Sequence, residues 1–115
     1  MPPLTPTQSE GFETELNRST LPAIVLMILK NPSFSSEIIT KLERMGVTAE
    51  ANTVYPLIRR LQKQGLIDIS LELDDNRPKK KYHLTDAGAS YLTDILELWR
   101  QRIEVIEKLI EDGGS

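Results

Sequence analysis

Cysteine is absent from the 115-residue sequence, and so are the residue patterns of the common enzyme classes. A chain without cysteine has neither a disulfide framework nor a thiolate metal site, which agrees with a reducing compartment. The single histidine, His83, belongs to no nucleophile–base constellation, and the sequence has neither a glycine-rich phosphate loop nor a cluster with metal-ligand spacing. The sequence therefore predicts a protein that is not an enzyme and that binds no cofactor and no metal.

Long apolar runs are missing as well. The longest run, residues 21–29, has nine residues, whereas a membrane-spanning helix needs about 20. The N-terminus has no basic region followed by an apolar run, so it is unlike a secretory signal. Residues 1–11 are instead rich in proline, threonine and serine without periodicity, which is typical of a disordered arm. We expect a cytoplasmic protein that does not associate with a membrane.

The formal net charge of −3 gives the chain as a whole no attraction to nucleic acid, but the charge is segregated along it. Between Arg59 and Lys81 there are seven basic and four acidic residues. Between Asp86 and Asp112 there are three basic and seven acidic residues. A chain of this length is expected to form one domain, and one part of that domain is locally positive.

Hydrophobic periodicity predicts helices in the first half of the chain. A first helix begins within residues 12–20, with Ser19 or Thr20 as a cap, and continues through the apolar run, which has to be buried on more than one side. A second helix is capped by Ser35 or Ser36 and ends at a glycine. A third helix spans about residues 48–64 and ends at the next glycine.

Alternation then replaces helical periodicity. Apolar and polar residues alternate from Ile67 to Leu73, which predicts a half-buried strand. The turn "DDNRP" leads into "KKKYHL", so the pattern indicates a β-hairpin with a basic returning strand. Thr85 can cap a last long helix that reaches Asp112. The expected fold class is mainly α with a small β-hairpin (α+β).

The third helix has two distinct faces. At 100° per residue, Val54, Leu57, Ile58 and Leu61 form one apolar stripe, while Asn52, Pro56, Arg59 and Lys63 lie opposite, flanked by Tyr55 and Arg60. Pro56 cannot donate to the carbonyl of Asn52 and is expected to kink or loosen the first turns. A solvated amphipathic helix would show the same pattern. The basic hairpin directly after the helix favours a winged helix, in which the third helix enters the major groove of DNA.

Two stretches resemble one known family. "NTVYPLIRRLQKQGLI", residues 52–67, is similar to the recognition-helix signature of PadR-type transcriptional regulators, and "KKYHLTDAG", residues 80–88, is similar to their wing and following helix start. "STLPAIVLMIL" and "SSEIITKLERMG" stand where the first two helices of that family belong. The resemblance covers roughly residues 12–109. It implies a winged helix-turn-helix domain over residues 12–85, a dimerisation helix over 86–112 and a tail over 113–115.

The resemblance and the helix faces together give a predicted DNA-contacting set. Side chains at the start of the third helix read base edges, and the cations of that helix and of the hairpin contact phosphates. The set consists of Ser35, Ser36, Asn52, Thr53, Tyr55, Arg59, Lys63, Arg77, Lys79, Lys80 and Lys81.

The last helix carries more apolar surface than a three-helix core of this size can cover. An a/d pattern over about three heptads predicts a dimer seam. Its members are Leu92, Leu96, Trp99, Ile103, Ile106 and Ile110. The family resemblance implies the same homodimer, built by this helix.

Trp99, the single tryptophan, has two interpretations. It fills the dimer interface, or it is a platform on which a planar hydrophobic effector stacks, as the resemblance to compact family members implies. The second interpretation gives a candidate effector pocket of Leu16, Leu21, Trp99 and Ile103.

The sequence thus predicts a homodimeric DNA-binding transcriptional regulator, a repressor on a palindromic operator, that is released by an effector. The alternative from another class is a winged helix used for protein–protein assembly, with the basic hairpin as its docking surface. The two differ in salt dependence, because binding through phosphates weakens steeply with salt.

Overall fold

The computed structural model describes residues 6–47 and 49–113, which form four α-helices and one three-stranded antiparallel sheet. The order is α1 (Pro6–Ile28), β1 (Ser33–Phe34), α2 (Ser35–Arg44), α3 (Ala51–Lys63), β2 (Ile67–Asp74), β3 (Arg77–Leu84) and α4 (Asp86–Glu111). The fold class is the predicted one, mainly α-helical with a small β-hairpin, to which one short strand is added.

Helix α1 is continuous, which corrects the predicted start of the first helix. Residues 6–11 are helical and not part of a disordered arm, and residues 1–5 lie outside the described residues. The hydroxyl groups of Ser19 and Thr20 donate to the Leu16 carbonyl at 3.1 and 2.7 Å and do not cap a new helix. Because extending an existing helix requires no new nucleus, a polar segment becomes helical once the adjoining buried half has formed.

Helix α2 is capped differently from the prediction. Its N-cap residue is Phe34, and Ser35 and Ser36 lie in the first turn. The Glu37 carboxylate accepts a hydrogen bond from the Phe34 backbone N–H at 2.8 Å. A carboxylate at the third helical position reaches back to an unpaired N–H, and this interaction replaces the predicted serine cap.

Helix α3 begins at Ala51, later than predicted, and Thr48 lies outside the described residues. Gly46 and Gly65 follow the ends of α2 and α3, and both have φ of +77°. Glycine adopts this left-handed conformation at little cost, so both predicted stops are confirmed.

Strands β2 and β3 form the predicted hairpin, paired from Ile67 opposite Leu84 to the turn. Asp75 and Asn76 make that turn with φ of 53° and 63°. A two-residue turn in the left-handed region matches strand twist and suits aspartate and asparagine. Strand β1, which pairs with β3, is not predicted by the sequence because two residues are too short to show alternation.

The core lies between α1, α2, α3 and the first turns of α4. The apolar run at residues 21–29 supplies the largest share, α3 adds its apolar stripe, Ile38 and Leu42 come from α2, and Leu92 comes from α4. Thr85 caps α4 as predicted, because its side chain accepts from the Gly88 backbone N–H at 2.9 Å. Helix α4 then leaves the core, and its described residues are exposed from Arg100 onward. Across the ranges 6–47 and 49–113, no helix is both long and apolar enough to span a membrane.

Candidate nucleic-acid interface

Helix α3 is held in place by one face. Val54, Leu57, Ile58 and Leu61 are at most 7% exposed, so the predicted stripe is buried. The opposite side is exposed to solvent. It carries the predicted DNA-contacting residues Asn52, Thr53, Tyr55, Arg59 and Lys63, which we call the α3 outer face. Burial of one face therefore fixes which side chains an approaching duplex meets.

The first turn of α3 is intact despite Pro56. The Glu50 carbonyl accepts from the backbone N–H groups of Thr53 and Val54 at 2.9 and 3.0 Å, and α3 is helical on both sides of the proline. The expected loosening of the first turns is therefore wrong, because proline removes only the hydrogen bond to Asn52, while the expected kink stays a prediction. The free N–H groups of the first turn carry the positive end of the helix dipole, which favours a phosphate nearby.

The predicted serines of α2 lie at the start of that helix. Ser36 is exposed and Ser35 is half-buried. The Ser36 carbonyl accepts from the Thr40 hydroxyl at 3.0 Å, inside the same helix. Contact of either serine with DNA stays a prediction.

In the hairpin β2–β3, which we call the wing, two of the lysines are ion-paired with carboxylates of the same hairpin. Lys79 pairs with Asp74 at 2.8 Å, and Lys81 pairs with Glu72 at 3.1 Å. The hydrogen bond to Asp74 raises the pKa of Lys79. The Lys81 ammonium also lies 5.1 Å from the centre of the Phe34 ring. These two cations are thus partly neutralised inside the wing.

The remaining wing cations are differently placed. Within the part of the chain that the structure describes, Arg77 and Lys80 make no ion pair, and both are exposed. In this part of the chain, Arg59 and Lys63 on α3 are also exposed and make no ion pair. The unpaired positive charge of this surface is therefore divided between the α3 outer face and two positions of the wing.

Tyr82 of the wing lies within electrostatic range of α3. Tyr82 is half-buried, and burial raises the pKa of its phenol. Nearby Tyr55 raises this pKa further, while Arg59 lowers it. Both neighbours belong to the α3 outer face. Tyr82 is not among the predicted site residues, although its place opposite Ile69 in the hairpin puts it on the apolar side of the wing. The alternation of side chains between the two faces of the hairpin already indicates in the sequence that Tyr82 lies on this side.

The predicted dimer seam divides into two parts. Leu92 is 2% exposed in the core of its own chain, and Leu96 and Trp99 pack partly against that core. The prediction that Leu92 faces a partner is therefore wrong, because the chain itself already covers this side chain. Ile103 and Ile106, by contrast, are 51% and 50% exposed, and Ile110 is exposed as well.

Within the described residues of a single chain, the four candidate effector residues are not gathered around the main groove. Leu21 is buried and lines an open groove between α1 and α3, whose walls include Thr53 and Arg60. Leu16, Trp99 and Ile103 do not line that groove. Among the described residues, no group of histidine, aspartate and glutamate side chains is arranged to hold a metal ion.

Comparison with known proteins identifies this arrangement. Residues 25–94 match the family model described as the transcriptional regulator PadR-like family. This region contains β1, α2, α3 and the wing. The chain belongs to the PadR-like family of transcriptional regulators. The recognised resemblance is therefore confirmed, and a family of transcriptional regulators agrees with the prediction that the protein is not an enzyme.

Individual relatives agree with the family model. The transcriptional regulator Rv3488 of Mycobacterium tuberculosis is 29% identical over 75 residues, which cover 65% of this chain and 66% of that protein. A PadR family regulator from Eggerthella lenta has a solved structure with 34% identity and a TM-score of 0.81, covering 90% of this chain and 92% of that one. A PadR-like regulator from Bacillus cereus has 26% identity and a TM-score of 0.77, covering 84% and 96%. Winged helix-turn-helix architecture and a long C-terminal helix are shared with these structures.

Proposed function

We propose that this PadR-like regulator represses transcription by binding a palindromic operator as a homodimer. The observation that carries the proposal is the α3 outer face. Exposed polar side chains stand at the start of α3, and unpaired cations follow along the same helix. An exposed helix of this composition fits the major groove, where Asn52 and Thr53 reach base edges and Arg59 and Lys63 reach phosphates.

The dimer is supported by the second half of α4. Apolar side chains there are half exposed or more, which a monomer of this size does not sustain without a partner. They are Leu98, Ile103, Val105, Ile106, Leu109 and Ile110. A two-fold dimer built on α4 presents two copies of α3 about 34 Å apart, the spacing of successive major grooves. A palindromic operator matches that symmetry. A protein that acts on operator DNA works in the compartment that holds the DNA, and we infer a cytoplasmic location.

An effector would act on the spacing of the two α3 helices. Trp99 stands where α4 leaves the core, half-buried and within about one turn of the exposed Ile103. A planar aromatic compound stacked on the indole at the dimer seam would bind one relative arrangement of the protomers better than the other and shift the population between them. Since Trp99 is the single tryptophan, its fluorescence reports such binding directly.

The proposal is tested by titrating labelled DNA from the region upstream of the gene with the purified protein, next to a scrambled duplex of equal composition. We expect tighter binding of the upstream DNA, with affinity falling about 10³-fold or more between 50 and 200 mM salt if about six phosphates are contacted. The double variant Asn52→Ala/Arg59→Ala is expected to lose the preference. Thr93→Ala is the control, since its hydroxyl donates only to the Ala89 carbonyl in α4. Equal binding of both duplexes by the wild type at low salt would favour the protein–protein assembly module.

A further inference from the structure

The wing has two faces of different chemistry. Residues paired across antiparallel strands lie on the same face of a hairpin, and the faces alternate along each strand. The wing outer face consists of Asp68, Ser70, Glu72 and Asp74 opposite His83, Lys81, Lys79 and Arg77. The wing inner face consists of Ile67, Ile69, Leu71 and Leu73 opposite Leu84, Tyr82, Lys80 and Pro78. Every carboxylate of the paired residues therefore stands on the outer face.

The inner face is covered only at its base. Ile67 is 2% exposed, whereas Leu71 and Leu73 are 70% and 73% exposed. Within the described residues, these two leucines are the most exposed of the large hydrophobic side chains. The half-buried strand expected from the alternation is thus buried only near the core. Adjacent apolar side chains left this exposed on a small domain usually contact a partner.

The inner face is continuous with the α3 outer face. Strand β2 contacts α3, and Tyr82 on the inner face lies within electrostatic range of Tyr55 and Arg59. The next inner-face pair outward is Leu71 with Lys80. A duplex whose major groove holds α3 therefore passes along the inner face of the wing. The side chains it meets there are two leucines, a proline and one lysine.

The charges agree with this direction of approach. The carboxylates of Glu72 and Asp74 are paired with lysines on the outer face, away from the duplex. Lys80 on the inner face has no ion pair within the part of the chain that the structure describes. An apolar surface with one free cation suits the minor groove, because the groove walls are deoxyribose C–H groups and its rims are phosphates.

We propose that Leu71 and Leu73 enter the minor groove beside each half-site, with Lys80 on the adjoining phosphate, and that they select A·T pairs there. The inference rests on the proposed function and deepens it. Guanine places a 2-amino donor in the minor groove, and A·T pairs place none. Leucine offers that donor no acceptor and displaces its water, so a G·C pair under the wing leaves a buried donor unpaired.

A second copy of the chain suits this face less well. Strand β2 is the edge of the sheet, so two copies could in principle pair through it. Antiparallel self-pairing centred on Leu71 would place Asp68 of one copy opposite Asp74 of the other. Like charges directly opposite each other destabilise a strand pair, and acidic residues on an edge strand discourage such association.

The test compares three duplexes that differ only in the pair beneath the wing: A·T, G·C, and inosine·C, which lacks just the 2-amino group. We expect the wild type to bind the A·T and inosine·C duplexes at least about fivefold more tightly than the G·C duplex. Leu71→Ser/Leu73→Ser should bind all three alike. Leu71→Ile/Leu73→Ile keeps the apolar surface and should keep the discrimination. Because both leucines are exposed, thermal unfolding of both variants should match the wild type.

Equal wild-type affinity for the three duplexes overturns the minor-groove role while leaving the regulator proposal standing. This comparison uses no variant, so a folding defect cannot obscure it. Loss of binding to every duplex by the wild type would instead remove the proposed function and this inference with it. Sedimentation supplies a further outcome: if the serine variant keeps its DNA selectivity but loses self-association, the inner face joins copies of the chain and the inference is wrong.

Discussion

At the scale of single residues, Gly88 shows how tightly the start of α4 is joined to the end of α3. The Thr85 hydroxyl donates to the Gly65 carbonyl at 2.7 Å, and the Thr85 backbone N–H donates to the Leu66 carbonyl at 3.1 Å. These bonds bring α4 so close that a Cβ at Gly88 would clash with the Leu66 carbonyl oxygen and with the Leu84 side chain. The φ of Gly88 is not in the left-handed region, so glycine is required here because the neighbouring atoms leave no room for a Cβ.

Gly88→Ala is therefore expected to destabilise the protein by about 1–3 kcal/mol, because a backbone carbonyl cannot rotate away as a side chain can. Gly11→Ala is the matched control. It is also a helical glycine, but no atom lies within 4 Å of its added Cβ. There we expect stabilisation of up to about 1 kcal/mol from helix propensity. Urea unfolding at one protein concentration measures both, and a stability change of the same sign in the two variants would contradict the clash.

At the scale of elements, the wing is a charge-balanced hairpin, and the lysines of its basic strand differ in whether they are ion-paired. Lys79 and Lys81 are occupied by Asp74 and Glu72, while Lys80 is free of ion pairs in the described part of the chain. Surface ion pairs contribute little to stability, about 0–1 kcal/mol each. Their effect here is on recognition, because a paired lysine offers less positive charge to a phosphate than a free one.

Two double variants separate these roles at constant net charge. Lys79→Gln/Asp74→Asn removes an ion pair and should leave operator affinity nearly unchanged. Lys80→Gln/Asp75→Asn removes a free cation together with a turn carboxylate and should lower the salt-dependence slope by about 0.9 for each phosphate that is no longer neutralised. Plots of log affinity against log salt concentration provide the measurement. If the slope falls as much in the first variant as in the second, Lys79 contacts phosphate despite its pairing with Asp74.

At the scale of the whole molecule, α4 reaches far beyond the core, and the chain measures 59 × 32 × 22 Å. Its polar side is tied by Arg100, which pairs with Glu97 at 2.6 Å and Glu104 at 2.7 Å. From Arg100 onward, its apolar side is not covered by the described residues of the same chain. Helix α4 thus has the pattern of a helix that is half within a monomer core and half within an interface.

Replacing Ile103 and Ile106 together by glutamate is expected to convert the proposed dimer to monomer, since two charges per chain would have to be buried in the seam. Operator affinity should fall with the dimer, because each monomer then binds one half-site alone. Ala87→Glu/Ser90→Glu adds the same charge at exposed positions near the start of α4 and should leave the dimer intact. Sedimentation velocity decides the outcome, and a dimer that persists in the isoleucine variant would place the interface elsewhere.

Local sequence patterns were sufficient to predict much of this structure. The spacing of Val54, Leu57, Ile58 and Leu61 predicted which side of α3 is buried, because helical period and burial are directly linked. The alternation from Ile67 predicted the hairpin and the face on which each residue stands. Two glycine stops and the Thr85 cap followed from backbone chemistry within a few residues.

Other features could not be read locally. Strand β1 exists because β3 lies beside Ser33, and the helical state of residues 6–11 depends on the buried half of α1. Whether Leu92 or Ile103 meets a partner depends on where α4 leaves the core, although both fit the same heptad pattern. The ion pairs of Lys79 and Lys81 with wing carboxylates could be identified only once the register of the two strands was known.

By itself, the sequence determined the periodic faces of α3 and the wing, the positions where helices stop, and the family to which the chain belongs. Only the tertiary structure decided which apolar residues remain exposed and which cations remain unpaired. The physical reason is that periodicity orients a side chain within its own element, whereas burial and ion pairing depend on what the neighbouring elements place beside it. For this regulator, that difference separates Ile67, buried at the base of the wing, from Leu71 and Leu73, which share its face and its alternation but remain exposed.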